Sequence, residues 1–278
     1  MDSPPPSGTW VQRGWKRAVV DWFPLGLILL AYVVLHALGT TLTPIAHVQP
    51  QLGFDEWVFG GTAPTVRLQR ELWHPGDPAW YDYLAWLVYL SHFVVSFAVG
   101  LVLWFRAYPL FRRFRALFLT VTFAGFATYV LYPAIPPWLA GRRGDMPHVV
   151  RIVRAMWLHV GLSDVAAVFG EKSKYAFPVG ALPSLHAAWP FLLMVFLWPI
   201  AGRWRPVLVA YALAMAFTLV YTADHFVFDV LLGWAYVIVV VVGFRLVATR
   251  RRPRAEEPRT EERRTGQAST RRWWWKSS

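Results

Sequence analysis

Apolar residues in this chain gather in long runs separated by short polar stretches, not in the one-sided stripes of helices that cover a soluble core. Six such runs, at about 23–43, 82–105, 114–133, 185–201, 206–223 and 226–248, are each near the roughly 20 residues that a helix needs to cross a bilayer. The pattern predicts an all-α integral membrane bundle of six transmembrane helices. Two longer connections interrupt it. Residues 44–79 carry Pro44, Pro50, Pro64, Pro75, Pro78 and the Gly60, Gly61 pair around a short helix from Thr65 to Trp73. In residues 147–160, Val149, Val150, Ile152, Val153, Met156, Trp157 and Val160 recur at helical spacing, with Arg151 and Arg154 on another face. That spacing predicts an extracytoplasmic interfacial helix, a lid on lipid headgroups. Alternatively, one of its arginines grips a substrate phosphate, because guanidinium matches phosphate oxygens in bidentate geometry.

Composition agrees with the membrane reading: 56% of residues are hydrophobic, 16% are charged and the mean hydropathy is +0.37. The absence of cysteine removes disulfides, thiolate nucleophiles and zinc–thiolate sites together. A net charge of +12 admits nucleic acid as a partner, but the basic residues cluster in short loops and the tail, and no recognition motif accompanies them; no nucleic acid is expected.

The placement of charge orients the bundle. Arg106, Arg112, Arg113 and Arg115 crowd the second connection, Arg203 and Arg205 the fourth, and Arg245 at the end of the last span is joined by Arg250, Arg251, Arg252 and Arg254 after it. By the positive-inside rule these lie in the cytoplasm with both termini, and the protein is expected in the cell membrane. Six basic residues in the third connection run against the bias, although long loops count for less. Residues 1–22 then form a cytoplasmic N-terminal segment, 23–248 the membrane catalytic domain, and 249–278 a basic, disordered cytoplasmic tail. The first span follows Arg13, Lys16 and Arg17 without a small-residue cleavage site, as a retained signal anchor does. The tail ends in "RRWWWKSS", which suits anionic lipid at the headgroup level.

On the opposite, extracytoplasmic side fall "ALPSLHAA", containing His186, and "TADHFVFDVLLGW", in which His225 precedes Asp229 by four residues. Ionisable groups at the ends of apolar spans are costly and usually functional. An i, i+4 pair shares a helix face, so Asp229 is expected to accept the His225 ring N–H and leave the other nitrogen as a nucleophile. His186 stands at a helix start, where unpaired N–H groups favour phosphate, and Ser184 either caps that helix or binds a phosphate oxygen. Two histidines of ordinary pKa can divide phosphoryl transfer, one attacking phosphorus and one protonating the leaving oxygen. His36, His92 and His159 have no such pattern and are expected to pack between helices.

These two blocks resemble the second and third motifs of the type 2 phosphatidic acid phosphatase superfamily, P-S-G-H and S-R-x5-H-x3-D. Tyr132–Ala140, "YPAIPPWLA", together with Pro-Ser-Leu-His, resembles its inositol phosphorylceramide synthase branch and the bacterial relatives of that branch. The likeness covers about residues 80–248. It implies six membrane helices, no metal and no cofactor, with His225 forming a phosphohistidine, Asp229 orienting it, and His186 as general acid and later base. Two customary phosphate grips depart from the pattern. The first motif, K-x6-R-P, is not found, and Thr218 and Leu219 stand where Ser-Arg is usual; Trp138 also follows the Pro-Pro pair, where arginine is common. Arg142, Arg143, Arg151, Arg154, Lys172 and Lys174 are the candidate replacements.

The expected activity is that of a lipid phosphate phosphatase or headgroup transferase acting on a lipid with a phosphate-containing headgroup, with water or an alcohol such as a polyol or lipid hydroxyl as acceptor. Two alternatives use the same residues: a metal enzyme with His186, His225 and Asp229 as ligands, or a proton-coupled transporter.

Overall fold

A computed structural model describes residues 15–168 and 179–250. Residues 1–14, Lys172, Lys174 and the tail from 251 onward lie outside the described residues. An apolar run in lipid satisfies its backbone groups by bonding within itself, and the runs accordingly fold as helices. The elements are α1 (Trp15–Leu42), α2 (Gln51–Val58), α3 (Pro64–Leu72), α4 (Trp80–Arg106), α5 (Tyr108–Leu131) and α6 (Pro137–Arg143). They continue as α7 (Ile152–His159), α8 (Ser163–Val168), α9 (Leu185–Ala201), α10 (Arg205–Tyr221) and α11 (Val227–Arg250). No β-strand occurs among the described residues; isolated parallel bridges join His47 to Ala134 and Ala134 to Gly180.

Five stretches are long and apolar enough to cross a membrane: Arg17–Leu35 within α1, α4, α5, Leu185–Tyr221 and α11. The fourth is 37 residues long because it contains both α9 and α10, joined through a 3-10 turn at Gly202–Trp204. The two halves pack against each other, so the stretch doubles back, and Gly202 takes a left-handed φ of 50° at the reversal. Six expected spans thus meet five stretches counted by length and composition, since α9 and α10 have only 17 residues each. Large apolar side chains such as Leu29, Val94 and Val239 face outward, the reverse of a soluble surface and the normal state of one solvated by lipid. The chain is an integral membrane protein.

α9 occupies the middle of the bundle, packed by α4, α5, α10 and α11, while α1 lies against α5. Side-chain hydrogen bonds stitch the helices: Ser91 with Tyr211 at 2.8 Å, Thr128 with Tyr236 at 2.7 Å, and Trp189 Nε1 donating to Thr122 at 3.1 Å. At one end, buried Asp21 of α1 accepts from Trp104 Nε1 at 3.0 Å, Tyr108 at 3.0 Å and Arg115 at 3.1 Å, tying α1 to α4 and α5. Arg106, Arg112, Arg113, Arg203 and Arg205 belong to this end through the helix ends that carry them.

The other end gathers the N-termini of α4, α9 and α11 under α2, α3, α6 and α7. Asp82 accepts the Ala79 N–H at 2.8 Å and a short bond from the Tyr221 hydroxyl, joining the start of α4 to the end of α10. Gln69 of α3 donates to the carbonyls of Val150 and Tyr221 and accepts from Val150 N–H. This one amide holds the approach to α7 against the loop after α10. The helix expected over 147–160 begins only at Ile152, and much of its apolar face is covered by protein. Ile152 and Met156 pack with Ala85 and Tyr221, and Val153 with Tyr89 and Leu219, all inside the protein. Burial against α4 and α10 satisfies the same apolar periodicity that an interface would.

Candidate active site

His225 sits in the turn between α10 and α11. Asp224 N–H and His225 N–H both bond to the Leu219 carbonyl, at 3.0 and 3.1 Å, and Ala223 adopts a left-handed φ of 64°. A non-glycine in that region costs on the order of 1 kcal/mol and is sustained by its surroundings. Here Trp138 N–H bonds to the Ala223 carbonyl and Ile152 N–H to that of Thr222, so α6 and α7 grip the turn from outside.

The His225 Nδ1 lies 2.9 Å from the Ala181 carbonyl oxygen. A carbonyl only accepts, so Nδ1 carries the proton and Nε2 presents its lone pair. Asp229 Oδ2 is 3.5 Å from Nδ1 and accepts Phe226 N–H at 2.9 Å. The expected pairing is therefore modified: the backbone of Ala181 sets the tautomer, and the Asp229 carboxyl stands beside the ring at 3.5 Å. Asp229 Oδ1 is buried without a hydrogen-bond partner among the described residues.

His186 lies in the first turn of α9. Ser184 caps that helix, accepting Ala187 N–H at 3.2 Å, and its own N–H donates to the Asp229 carbonyl at 3.0 Å. The starts of α9 and α11 are thus bonded directly, and the His186 and His225 ring centroids stand 5.6 Å apart at 52°. The His186 Nε2 is buried with no hydrogen-bond partner among the described residues. A column of rings backs it: Tyr89 at 5.1 Å, His92 at 4.2 Å, and Trp189 beyond His92 at 4.2 Å.

Arg151 precedes α7 and is brought to the same place. Its Nε donates to Asp224 Oδ1 at 2.9 Å, its guanidinium lies 5.1 Å from the centre of the Trp138 ring, and it also bonds the Tyr89 hydroxyl. Burial disfavours its charge, but Asp224 and Tyr89 outweigh that, and its pKa is raised. The other candidates are placed differently. Arg142 is exposed beside Trp138, and Arg143 donates to the Thr43 and Ala46 carbonyls at 2.6 and 3.4 Å. Arg154 is half-buried on α7. Leu219, at the family's usual arginine position, is fully buried in the core.

Three residues escaped the sequence reading as parts of the site. Tyr89 and His92 on α4 flank His186, and His92 does pack, as expected, but against His186 itself. Asp224 holds Arg151. An ionisable group within a membrane-length apolar run was the available signal for His92, and a carboxylate beside a candidate histidine the signal for Asp224. His159 is exposed and meets Tyr83 edge-on at 6.1 Å. Among the described residues no three His, Cys, Asp or Glu side chains are placed to hold a metal ion together.

Several known proteins are similar to this chain over part of their length. A phosphoinositol dihydroceramide synthase of Bacteroides thetaiotaomicron is 32% identical over 163 residues, covering 55% of this chain and 52% of that protein. The inositol phosphorylceramide synthase catalytic subunit of Schizosaccharomyces pombe is 27% identical over 169 residues, covering 58% and 39%, respectively. An inositol phosphorylceramide synthase of Candida albicans is 25% identical over 167 residues, covering 55% and 33%. The chain thus spans about half, or less, of the length of these curated relatives. No solved structure matches. The family model of the PAP2 superfamily matches residues 61–243, a range that takes in both histidines, Asp229 and Arg151, and the chain belongs to that superfamily.

Proposed function

We propose that the chain is a membrane lipid phosphotransferase that moves a phosphate-containing headgroup through a phosphohistidine at His225 Nε2. The observation that carries this reading is the pair of imidazoles 5.6 Å apart, one with Nδ1 committed to a carbonyl and the other with Nε2 unpartnered among the described residues. Nε2 of His225 attacks phosphorus, the bond from phosphorus to the leaving oxygen breaks, and protonated His186 gives its proton to that oxygen. In the second half, neutral His186 takes the proton of the acceptor hydroxyl, whose oxygen attacks phosphorus while the P–N bond returns its electrons to Nε2. Asp229 favours the cationic, phosphorylated ring by charge.

Arg151 is the phosphate grip in this reading, replacing the arginine missing at Leu219. Asp224 takes its Nε, which directs the guanidinium, and a half-buried arginine meets phosphate more strongly than a fully exposed one. The relatives' names speak of phosphoinositol on ceramide, which supports a phosphoinositol lipid as donor and a lipid hydroxyl as acceptor. The test uses detergent-purified protein and labelled lipids with chelator present, reading headgroup transfer to ceramide against release to water. Transfer that depends on His225 supports the reading, and turnover that appears only with added metal overturns it. In the same assay Arg151→Gln is expected to lower kcat/KM by about 10- to 100-fold, the worth of one charged hydrogen-bonding group.

We infer further that the histidines face the extracytoplasmic side, because the arginines of the short connections belong to the opposite end of the bundle. The chain has no native cysteine, so single cysteines report cleanly. A cysteine at Asp145 is expected to react with an impermeant maleimide in intact cells and one at Arg203 is not; the reverse pattern overturns the orientation.

A further inference from the structure

Asp55 lies on α2, outside the residues that match the family, and is fully buried although the reaction outlined above does not use it. Its Oδ2 accepts Val227 N–H at 2.9 Å and its Oδ1 accepts Phe228 N–H at 3.1 Å. These are first-turn donors of α11, which have no partner within their own helix. The preceding donor, Phe226 N–H, is taken by Asp229 Oδ2, the oxygen that also faces His225 Nδ1 at 3.5 Å. Phe54 packs on Phe228 with ring centroids 5.1 Å apart, and Leu52 joins the apolar cluster that contains Phe226, so α2 is seated firmly on this turn.

We propose that Asp55 is a positioning residue for the reaction: it satisfies two amides at the start of α11 from outside, and so leaves Asp229 in register with His225. Without it, Asp229 is the carboxylate left beside those amides and the positive end of the helix dipole, and it is drawn from the ring. Burial pushes the Asp55 carboxyl up to about 6, even though the two amides pull it down, so near neutral pH it is ionised and both oxygens accept. The proposal rests on His225 as the group that takes the phosphate.

The test compares Asp55→Asn with the wild type in detergent, reading kcat, KM, thermal stability and the 15N signals of the histidine rings. Asn keeps the shape and one acceptor but turns an amide NH2 toward a backbone N–H. The expected result is a fall in kcat of about tenfold or more with KM within about twofold, from a small misplacement of the reacting ring. The 15N signals of the His225 ring are expected to shift, Nδ1 above all, because the carboxylate 3.5 Å from it moves, while the ring keeps the Nδ1–H form that Ala181 fixes and the protein stays folded. Unchanged kcat and unchanged ring signals overturn the proposal, as does a loss of activity that only tracks loss of folded protein. The ring signals need no turnover. A wild type whose activity ignores His225 therefore defeats the functional reading alone, and the His225 ring signals of Asp55→Asn still decide whether Asp55 holds Asp229 beside the ring.

Discussion

Replacing His225 by glutamine is expected to abolish turnover of every lipid that the wild type accepts, by at least about 10,000-fold, because the nucleophile and its covalent intermediate disappear together. Replacing His186 by alanine is expected to be different in kind. That change removes a proton donor, worth about 100- to 10,000-fold, and the loss depends on how badly the leaving oxygen needs its proton. A lipid alkoxide needs it; a nitrophenolate does not. With a nitrophenyl phosphodiester, His186→Ala is therefore expected to recover much of the first half-reaction, and the phosphorylated enzyme to accumulate because no base activates the acceptor. His225→Gln is not rescued by any leaving group. The check is acid-labile label on the protein after rapid quenching. Equal rescue of both variants, or label retained by His225→Gln, sinks the division of labour.

The second large effect is expected from Gly233→Ala. A Cβ at this position of α11 would lie 2.4 Å from the Ser184 carbonyl oxygen and 3.3 Å from its carbon. Those atoms are backbone and belong to the cap of α9, so the helices must separate by about 1 Å to reach ordinary contact. Overpacking of this kind costs about 1–3 kcal/mol, more than the 0.5–1 kcal/mol that alanine gains over glycine within a helix. Activity falls further than stability, by about 100-fold, because His186 follows Ser184 by two residues and moves away from His225. Gly243→Ala on the same helix is the control, since nothing lies within 4 Å of the point where its Cβ would stand. It is expected to keep wild-type activity and melt no lower. Gly125→Ala is less informative: its nearest neighbour is the flexible end of Leu185 at 2.8 Å, which can turn aside.

Much of this architecture was legible along the chain. The run at 185–201 coincides with α9, the run at 206–223 differs from α10 by one or two residues at its ends, and Ser184 holds the cap that its place before an apolar run allowed. α1 begins at Trp15, earlier than its apolar run, and the charged residue this brings into the helix, Asp21, is satisfied by Trp104, Tyr108 and Arg115. The apolar face of α7 was visible, but periodicity has no sign. It records that a face is buried and not whether lipid or protein covers it.

The sequence by itself determined which segments are helices in lipid, because backbone satisfaction and side-chain transfer are local costs that each run carries whatever surrounds it. It also determined that His225 and Asp229 stand four residues apart, near enough for ring and carboxylate to meet, although His225 falls in the turn before α11 and not on the helix. Tertiary structure alone decided the rest of the site. Ala181, 44 residues before His225, offers a backbone carbonyl that no side-chain pattern announces, and that carbonyl chooses the tautomer. Arg151 and Asp224, 73 residues apart, pair because α7 folds back over the turn after α10. Asp55 reaches α11 across 172 residues. Each of these contacts depends on how whole helices pack, and packing is set by the fit of many surfaces at once, which no short window of sequence contains.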